Sequence, residues 1–220
     1  FIRQCTKNKM GENTRRKHRL SIYSQKHLHR LIDETGILYH QNRKGLIYIF
    51  RSAKSFLEGQ EKLTLLQPVM ENLQLLSRTE ILKLEPALHR METDISGGIY
   101  CPTDESGSCR DFTIQLSEIC RDKGVDFHFN TTVTEVIKNG RRIEKVVSDK
   151  GDFQADEYVL SFAAYSPTIS KMVGDYLPIY PVKGYSFTVP IIDMDKAPVH
   201  GGIDEDNFLA FSLMGDRIRF

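Results

Sequence analysis

The 220-residue sequence predicts a mixed fold, α/β plus α+β, with two layers interleaved along the chain. Three observations predict it. In the middle of the chain a helical period at 112–124 gives way to strand alternation at 125–129. An Asn139-Gly140 pair flanked by apolar alternation then marks a β-hairpin within that stretch. After Pro178 helical periods stop, and short apolar runs alternate with Gly, Asp and Pro turns. The α/β layer takes residues 1–42 and 110–175, and the antiparallel layer takes 43–109 and 176–220.

The elements follow in order. Leu20, Leu28, Leu31 and Ile32 share one helix face, and Gly36 suits its C-cap. Arg15, Arg16, Lys17 and Arg19 crowd the other face, either as a solvated surface or as a contact with an anionic membrane or partner. Residues 45–50 read as a buried strand ending at Arg51, and 53–71 as a helix that Pro68 bends or restarts. Thr79, Leu82, Leu84 and Glu85 predict a short helix stopped by Pro86, and a strand at 97–101 ends at Pro102. Residues 104–108 predict an exposed loop. Beyond the helix closed by Gly124, strands are expected at 125–129, 132–137, 143–148 and 157–162, then at 181–189, 199–203, 208–213 and from Arg217 onward.

Thirty basic and twenty-nine acidic residues give a formal charge of +1, a balance that does not call for nucleic acid. The apolar runs are interrupted well short of the roughly 20 residues of a membrane span, and no signal-peptide pattern is visible. Cys5, Cys101, Cys109 and Cys120 form no CxxC pair, which points to reduced thiols and a cytoplasmic setting. The chain opens on Phe1 and stops within a strand-like run at 216–220, so an internal fragment of a longer protein is expected.

GxGxxG, GxSxG, HExxH and P-loop patterns are absent. His27 and His29 sit two apart on a helix and make a poor metal pair, so no metal is expected. Three segments invite a functional reading beside an ordinary one. Residues 130–136 form a strand of β-branched residues, ordinarily a piece of meander. At 155–166 a buried strand runs into Ala163, Ala164, Tyr165 and Ser166, where backbone N–H groups can face a phosphate or adenine; ordinary strand-to-helix packing explains it equally well. At 181–190 Lys183 and Tyr185 flank Gly184, which admits a ligand close to the backbone; a kinked edge strand is the plain alternative.

Together with Glu34-Thr35-Gly36-Ile37, Leu84-Glu85-Pro86-Ala87-Leu88, Gly97-Gly98 and the opening residues 1–6, these segments are ordered as in a known family. The most specific stretches are Asp104-Glu105-Ser106-Gly107-Ser108-Cys109 and Pro181-Val182-Lys183-Gly184-Tyr185-Ser186. The chain resembles, over nearly its whole length, the D-amino-acid oxidase-like flavoproteins. The resemblance implies an incomplete FAD-binding Rossmann-like domain interleaved with an antiparallel-sheet substrate domain. It places the dinucleotide fingerprint before this segment and the arginine that holds the substrate carboxylate after it.

By the same resemblance the activity is FAD-dependent oxidation of a D-amino acid to a 2-oxo acid and ammonia, with electrons passed to a respiratory acceptor. Peripheral contact with the cytoplasmic membrane face goes with such an acceptor. Val133 is expected to meet the adenine through its backbone, with Ala163, Ala164, Tyr165 and Ser166 near the ribose and pyrophosphate. Lys183 and Tyr185 are the expected catalytic pair, and Gly184 the point of closest approach to the flavin. A sister enzyme acting on glycine, sarcosine or another amine, and a non-catalytic scaffold derived from a flavoenzyme, are the alternatives. Apolar strands left without neighbours predict self-association, and the fragment by itself is expected to hold FAD weakly.

Overall fold

A computed structural model of the chain describes residues 6–66 and 72–220. The resembling stretch at residues 1–5, Cys5 included, and the bend expected at Pro68 lie outside them. Two compact units arise, Phe1–Asp122 with Ser186–Phe220, and Lys123–Tyr185.

In the first unit, α1 (Lys7–Thr35) begins where the Thr6 hydroxyl accepts the Lys9 N–H at 3.3 Å and ends at Gly36, whose φ of 69° carries the left-handed cap. A seven-stranded sheet follows. It comprises β1 (Leu46–Phe50), β2 (Gln74–Ser77), β3 (Gly97–Cys101), β7 (Thr188–Pro190), β8 (Gly201–Asp204), β9 (Leu209–Met214) and β10 (Arg217–Arg219), in the order β2-β3-β1-β8-β9-β10-β7. Only β1 and β8 pair in parallel.

Side-chain alternation along β1 feeds two cores. Ile47 and Ile49 pack with Leu76, Leu88, Ile95 and the Ile81 and Leu82 of α3 (Arg78–Leu84). Phe50 packs with Leu63 of α2 (Ala53–Leu66) and Ile99, flanked by Tyr48, Phe56 and Leu73. Gly97 and Gly98 are required by this packing: a Cβ would fall 2.3 Å from the Phe56 ring at one and 2.6 Å from the Tyr48 carbonyl at the other. A capping box between Ser77 and Glu80 starts α3, and a 3₁₀ helix (Pro86–Asp94) continues from Pro86. The unit also carries α4 (Cys109–Asp122).

The second unit is a meander, β4 (Val133–Asn139), β5 (Arg142–Ser148) and β6 (Gly151–Phe153), with α5 (Ser166–Met172) packed on β4. The Asn139-Gly140 hairpin forms as expected, with Gly140 at φ 62°.

Four expectations need correction. Residues 125–129 and 157–162 are not strands: Val125, Phe129 and Val159 are exposed, and β4 to β6 pair only with one another. An apolar run becomes a strand only where a neighbour offers ladder hydrogen bonds, and no strand of the described residues does so here. The strand expected at 181–189 shrinks to β7, the stretch that finds β10 beside it. Residues 104–108 are half-buried to buried rather than exposed, because Asn42 and Ser106 exchange backbone hydrogen bonds of 2.8 and 3.0 Å and Ser108 N–H donates to the Tyr39 carbonyl at 2.7 Å.

Candidate functional site

The predicted cofactor residues gather in the second unit. Val133 opens β4, an edge strand, so alternate backbone groups along it face away from β5. A register shift between Val133 and Glu135 loosens the ladder at that end. Val133 also lines an apolar cavity of about 300 Å³ with Val136, Ile143, Val146, Leu160 and Phe162. At its rim the chain turns through a short 3₁₀ helix (Ala163–Tyr165) into α5. Ala163 holds φ at 46°, the Tyr165 N–H closes on the Phe162 carbonyl at 2.9 Å, and Ser166 is buried while Tyr165 is exposed.

A turn carrying Ala163, Ala164 and Ser166 beside a strand with outward backbone groups suits one end of a dinucleotide: the small side chains admit a close approach, with Tyr165 exposed among them, and backbone polar groups are at hand. Ala163 and Ala164 themselves do not line the apolar cavity; their neighbours Phe162 and Ile169 do.

Lys183, Gly184 and Tyr185 lie in irregular backbone at the end of the same unit. The Lys183 Nζ stands 5.1 Å from the centroid of the exposed Tyr185 ring. A Cβ at Gly184 would meet nothing within 4 Å, so neither packing nor dihedral in this chain requires glycine there.

The first unit holds a polar site that sequence patterns did not reveal. The turn after β3 places Asp104 and Glu105 against the inner face of α1 and beside Tyr48 of β1. Gln25 of α1 donates to the Thr103 carbonyl at 2.9 Å, which holds helix and turn together. Glu105 is well supplied: His29 Nε2 lies 2.8 and 3.0 Å from its two oxygens, Gln41 donates at 2.8 Å, and the Arg43 guanidinium stands at 3.4 Å. Asp104 accepts the Tyr48 hydroxyl at 2.9 Å. Burial, then the adjacent Asp104, push the Tyr48 hydroxyl far above its ordinary pKa, so it remains a neutral donor. Burial likewise raises the Cys101 thiol. A cleft of about 660 Å³ opens here, lined by Lys17, His18, Ser21, Gln25, Tyr48 and Asp104 among others.

At the far end of β1, Arg51 directs its Nε and Nη2 to one oxygen of buried Asp204, at 2.8 and 2.7 Å. Among the described residues no group of three or more His, Cys, Asp or Glu side chains is placed to hold a metal, and no helix is long and apolar enough to cross a membrane.

Comparison with known proteins places the chain in a family. The family model for FAD dependent oxidoreductases, DAO, matches residues 4–220. A D-amino acid dehydrogenase of Neisseria meningitidis serogroup A is 37% identical over 219 residues, which cover 100% of this chain and 52% of the relative. D-amino acid dehydrogenase 2 of Mesorhizobium japonicum is 36% identical over 220 residues, with 100% and 53% covered. The chain thus spans about half the length of the curated relatives it matches. Among solved structures, glycine oxidase from Geobacillus kaustophilus superposes with a TM-score of 0.77 at 22% identity, over 92% of this chain and 53% of that one. L-proline dehydrogenase from P. horikoshii does so at 0.72 and 15% identity, over 86% and 50%. At those identities the likeness is one of fold.

Proposed function

Because the chain belongs to the DAO family of FAD-dependent oxidoreductases, we propose that it serves the oxidation of D-amino acids to 2-oxo acids and ammonia. The observation that carries this reading is the match of the entire chain, at 36–37% identity, to D-amino acid dehydrogenases from separate genera. It favours a D-amino acid over the glycine, sarcosine and scaffold alternatives.

FAD, when bound, supplies the two-electron acceptor for the Cα–N bond. This chain's residues bind and orient. Residues 1–42 and 110–175 serve the cofactor; residues 43–109 and 176–220 serve the substrate. Val133 offers backbone hydrogen bonds to the adenine, and Ala163, Ala164, Tyr165 and Ser166 let the ribose and pyrophosphate approach. Lys183 supplies positive charge toward the flavin, Tyr185 a hydroxyl toward the substrate, and Gly184 room between them.

A respiratory acceptor takes the electrons, and peripheral contact with the cytoplasmic membrane face brings the enzyme to it. Self-association through the apolar side chains exposed at Val125, Phe129 and Val159 belongs to the same proposal. The test is anaerobic mixing of the flavin-loaded, full-length enzyme with D-alanine. Bleaching of the flavin with release of pyruvate and ammonia is expected; bleaching by glycine or sarcosine alone would assign the sister activity.

A further inference from the structure

Tyr48 and Asp104 stand at a seam. Both line the polar cleft along α1, and both line a second cavity, of about 180 Å³, beneath α2. The two spaces differ in chemistry. Lys17, His18, Ser21 and Gln25 face the first. Phe50, Leu63, Leu73, Ile99 and Cys101 wall most of the second, and the Lys62–Glu205 ion pair also lines it.

The two neighbouring carboxylates also differ. Glu105 is satisfied by His29, Gln41 and Arg43. Asp104 accepts the Tyr48 hydroxyl, which burial keeps neutral. Among the described residues no ion pair compensates its charge. A carboxylate at the mouth of an apolar cavity, with only a neutral donor, is a site for a cation. A molecule with an ammonium and an apolar arm matches these two features.

We propose that Asp104 holds the substrate ammonium and that the cavity beneath α2 selects its side chain, favouring D-amino acids with a medium-sized apolar side chain over alanine and over acidic ones. The inference rests on the reading that the substrate is a D-amino acid, and it adds the side-chain class and the residues that choose it. Tyr48 acts as a positioning residue, since its hydroxyl fixes the Asp104 carboxylate at the seam.

The test uses the flavin-loaded, full-length enzyme and steady-state rates on D-alanine, D-norvaline, D-leucine, D-methionine and D-aspartate. In the wild type kcat/KM should climb from D-alanine through D-norvaline to D-leucine and D-methionine, with D-aspartate lowest; a flat or inverted order overturns the inference. Asp104→Asn, nearly isosteric, should raise KM about tenfold for every substrate while kcat stays within about threefold. Leu73→Phe, which fills the cavity, should cut kcat/KM about tenfold for D-leucine and D-methionine and leave D-alanine nearly unchanged. Unchanged KM in the first variant, or equal losses on all substrates in the second, overturns it as well. Should Leu73→Phe lose its flavin, the wild-type order and Asp104→Asn decide. A wild type that oxidises no D-amino acid brings down the functional reading itself, whereas one that oxidises them without these preferences brings down this inference alone.

Discussion

Glu85 and His200 meet twice: one Glu85 oxygen accepts the His200 backbone N–H at 2.8 Å and stands 3.2 Å from its ring Nδ1. The same oxygen takes the Val199 N–H at 2.8 Å, and the other takes the Ala87 N–H at 3.3 Å. The carboxylate is fully buried and the His200 ring packs edge-on to Tyr100. Glu85 thus supplies acceptors to backbone that enters β8 without a ladder partner, and couples it to the helical turn at Pro86.

Replacing that carboxylate should be costly. Glu85→Ala leaves three N–H groups, that of His200 buried, without this acceptor, and a loss of about 3 kcal/mol is expected from urea unfolding. Glu85→Gln should cost less, because its amide oxygen still accepts. A loss in Glu85→Ala within the error of the measurement would show that water replaces the carboxylate.

The Arg51–Asp204 pair predicts an acid-sensitive stability. Burial would raise the Asp204 carboxyl, but the Arg51 guanidinium and the side chain and backbone of Asn207 outweigh it and hold the group below the ordinary aspartate value. A depressed folded pKa adds stability above the unfolded value, near 4, and that stability is lost as pH falls through the folded one. Asp204→Asn should therefore be less stable at neutral pH yet lose less on acidification from about pH 5 downward. Arg51→Met should move the acid unfolding midpoint upward. Parallel wild-type and Asp204→Asn profiles across that range would contradict the assignment.

How much of this was legible in the sequence depends on whether a feature is local. The α1 cap at Gly36, the Asn139-Gly140 hairpin and the strands β1 and β3 follow from short-range signals, and they form. Residues 125–129 and 157–162 carry the same apolar signal but lack a neighbour, and a strand is a property of two segments. The reverse holds for β2: its adjacent Leu75 and Leu76 give no alternation to read, yet it pairs with β3 across four residues. Tyr48 and Asp104 are 56 positions apart, and the Val199 and His200 N–H groups that meet Glu85 lie more than a hundred positions away from it. No spacing rule could have joined them. The family resemblance singled out the stretch beginning Asp104-Glu105, although local chemistry read it as an exposed loop.

Ala163 tests the turn at the proposed cofactor end. Its φ of 46° lies where a Cβ is strained. Ala163→Gly should stabilise the protein by about 1 kcal/mol in denaturant titration, and Ala163→Val should destabilise it. One residue on, Ala164→Leu should weaken FAD binding in the full-length enzyme while leaving the unfolding midpoint of the flavin-free protein near wild type. Equal flavin affinity in wild type and Ala164→Leu would remove this turn from the cofactor site.

Lys183 and Tyr185 can be separated because their exposed contact is a cation over a ring, worth about 0.5–1 kcal/mol at such a site. Tyr185→Phe keeps the ring beneath Lys183 and removes only the hydroxyl, so any change in turnover reports the hydroxyl. If that group orients substrate, KM should rise several-fold, or kcat fall, with FAD retained. Lys183→Met keeps most of the stem and removes the charge. A cation beside a flavin that gains negative charge on reduction favours the reduced form, so its loss should lower the midpoint potential and slow anaerobic flavin reduction about tenfold. Both effects should leave the thermal midpoint nearly unchanged, since neither residue is buried and even a Cβ added at Gly184 between them would meet nothing within 4 Å. Wild-type reduction rates, potential and KM in both variants would make this segment a connector, and the groups that act on the substrate would then have to be sought around Tyr48 and Asp104.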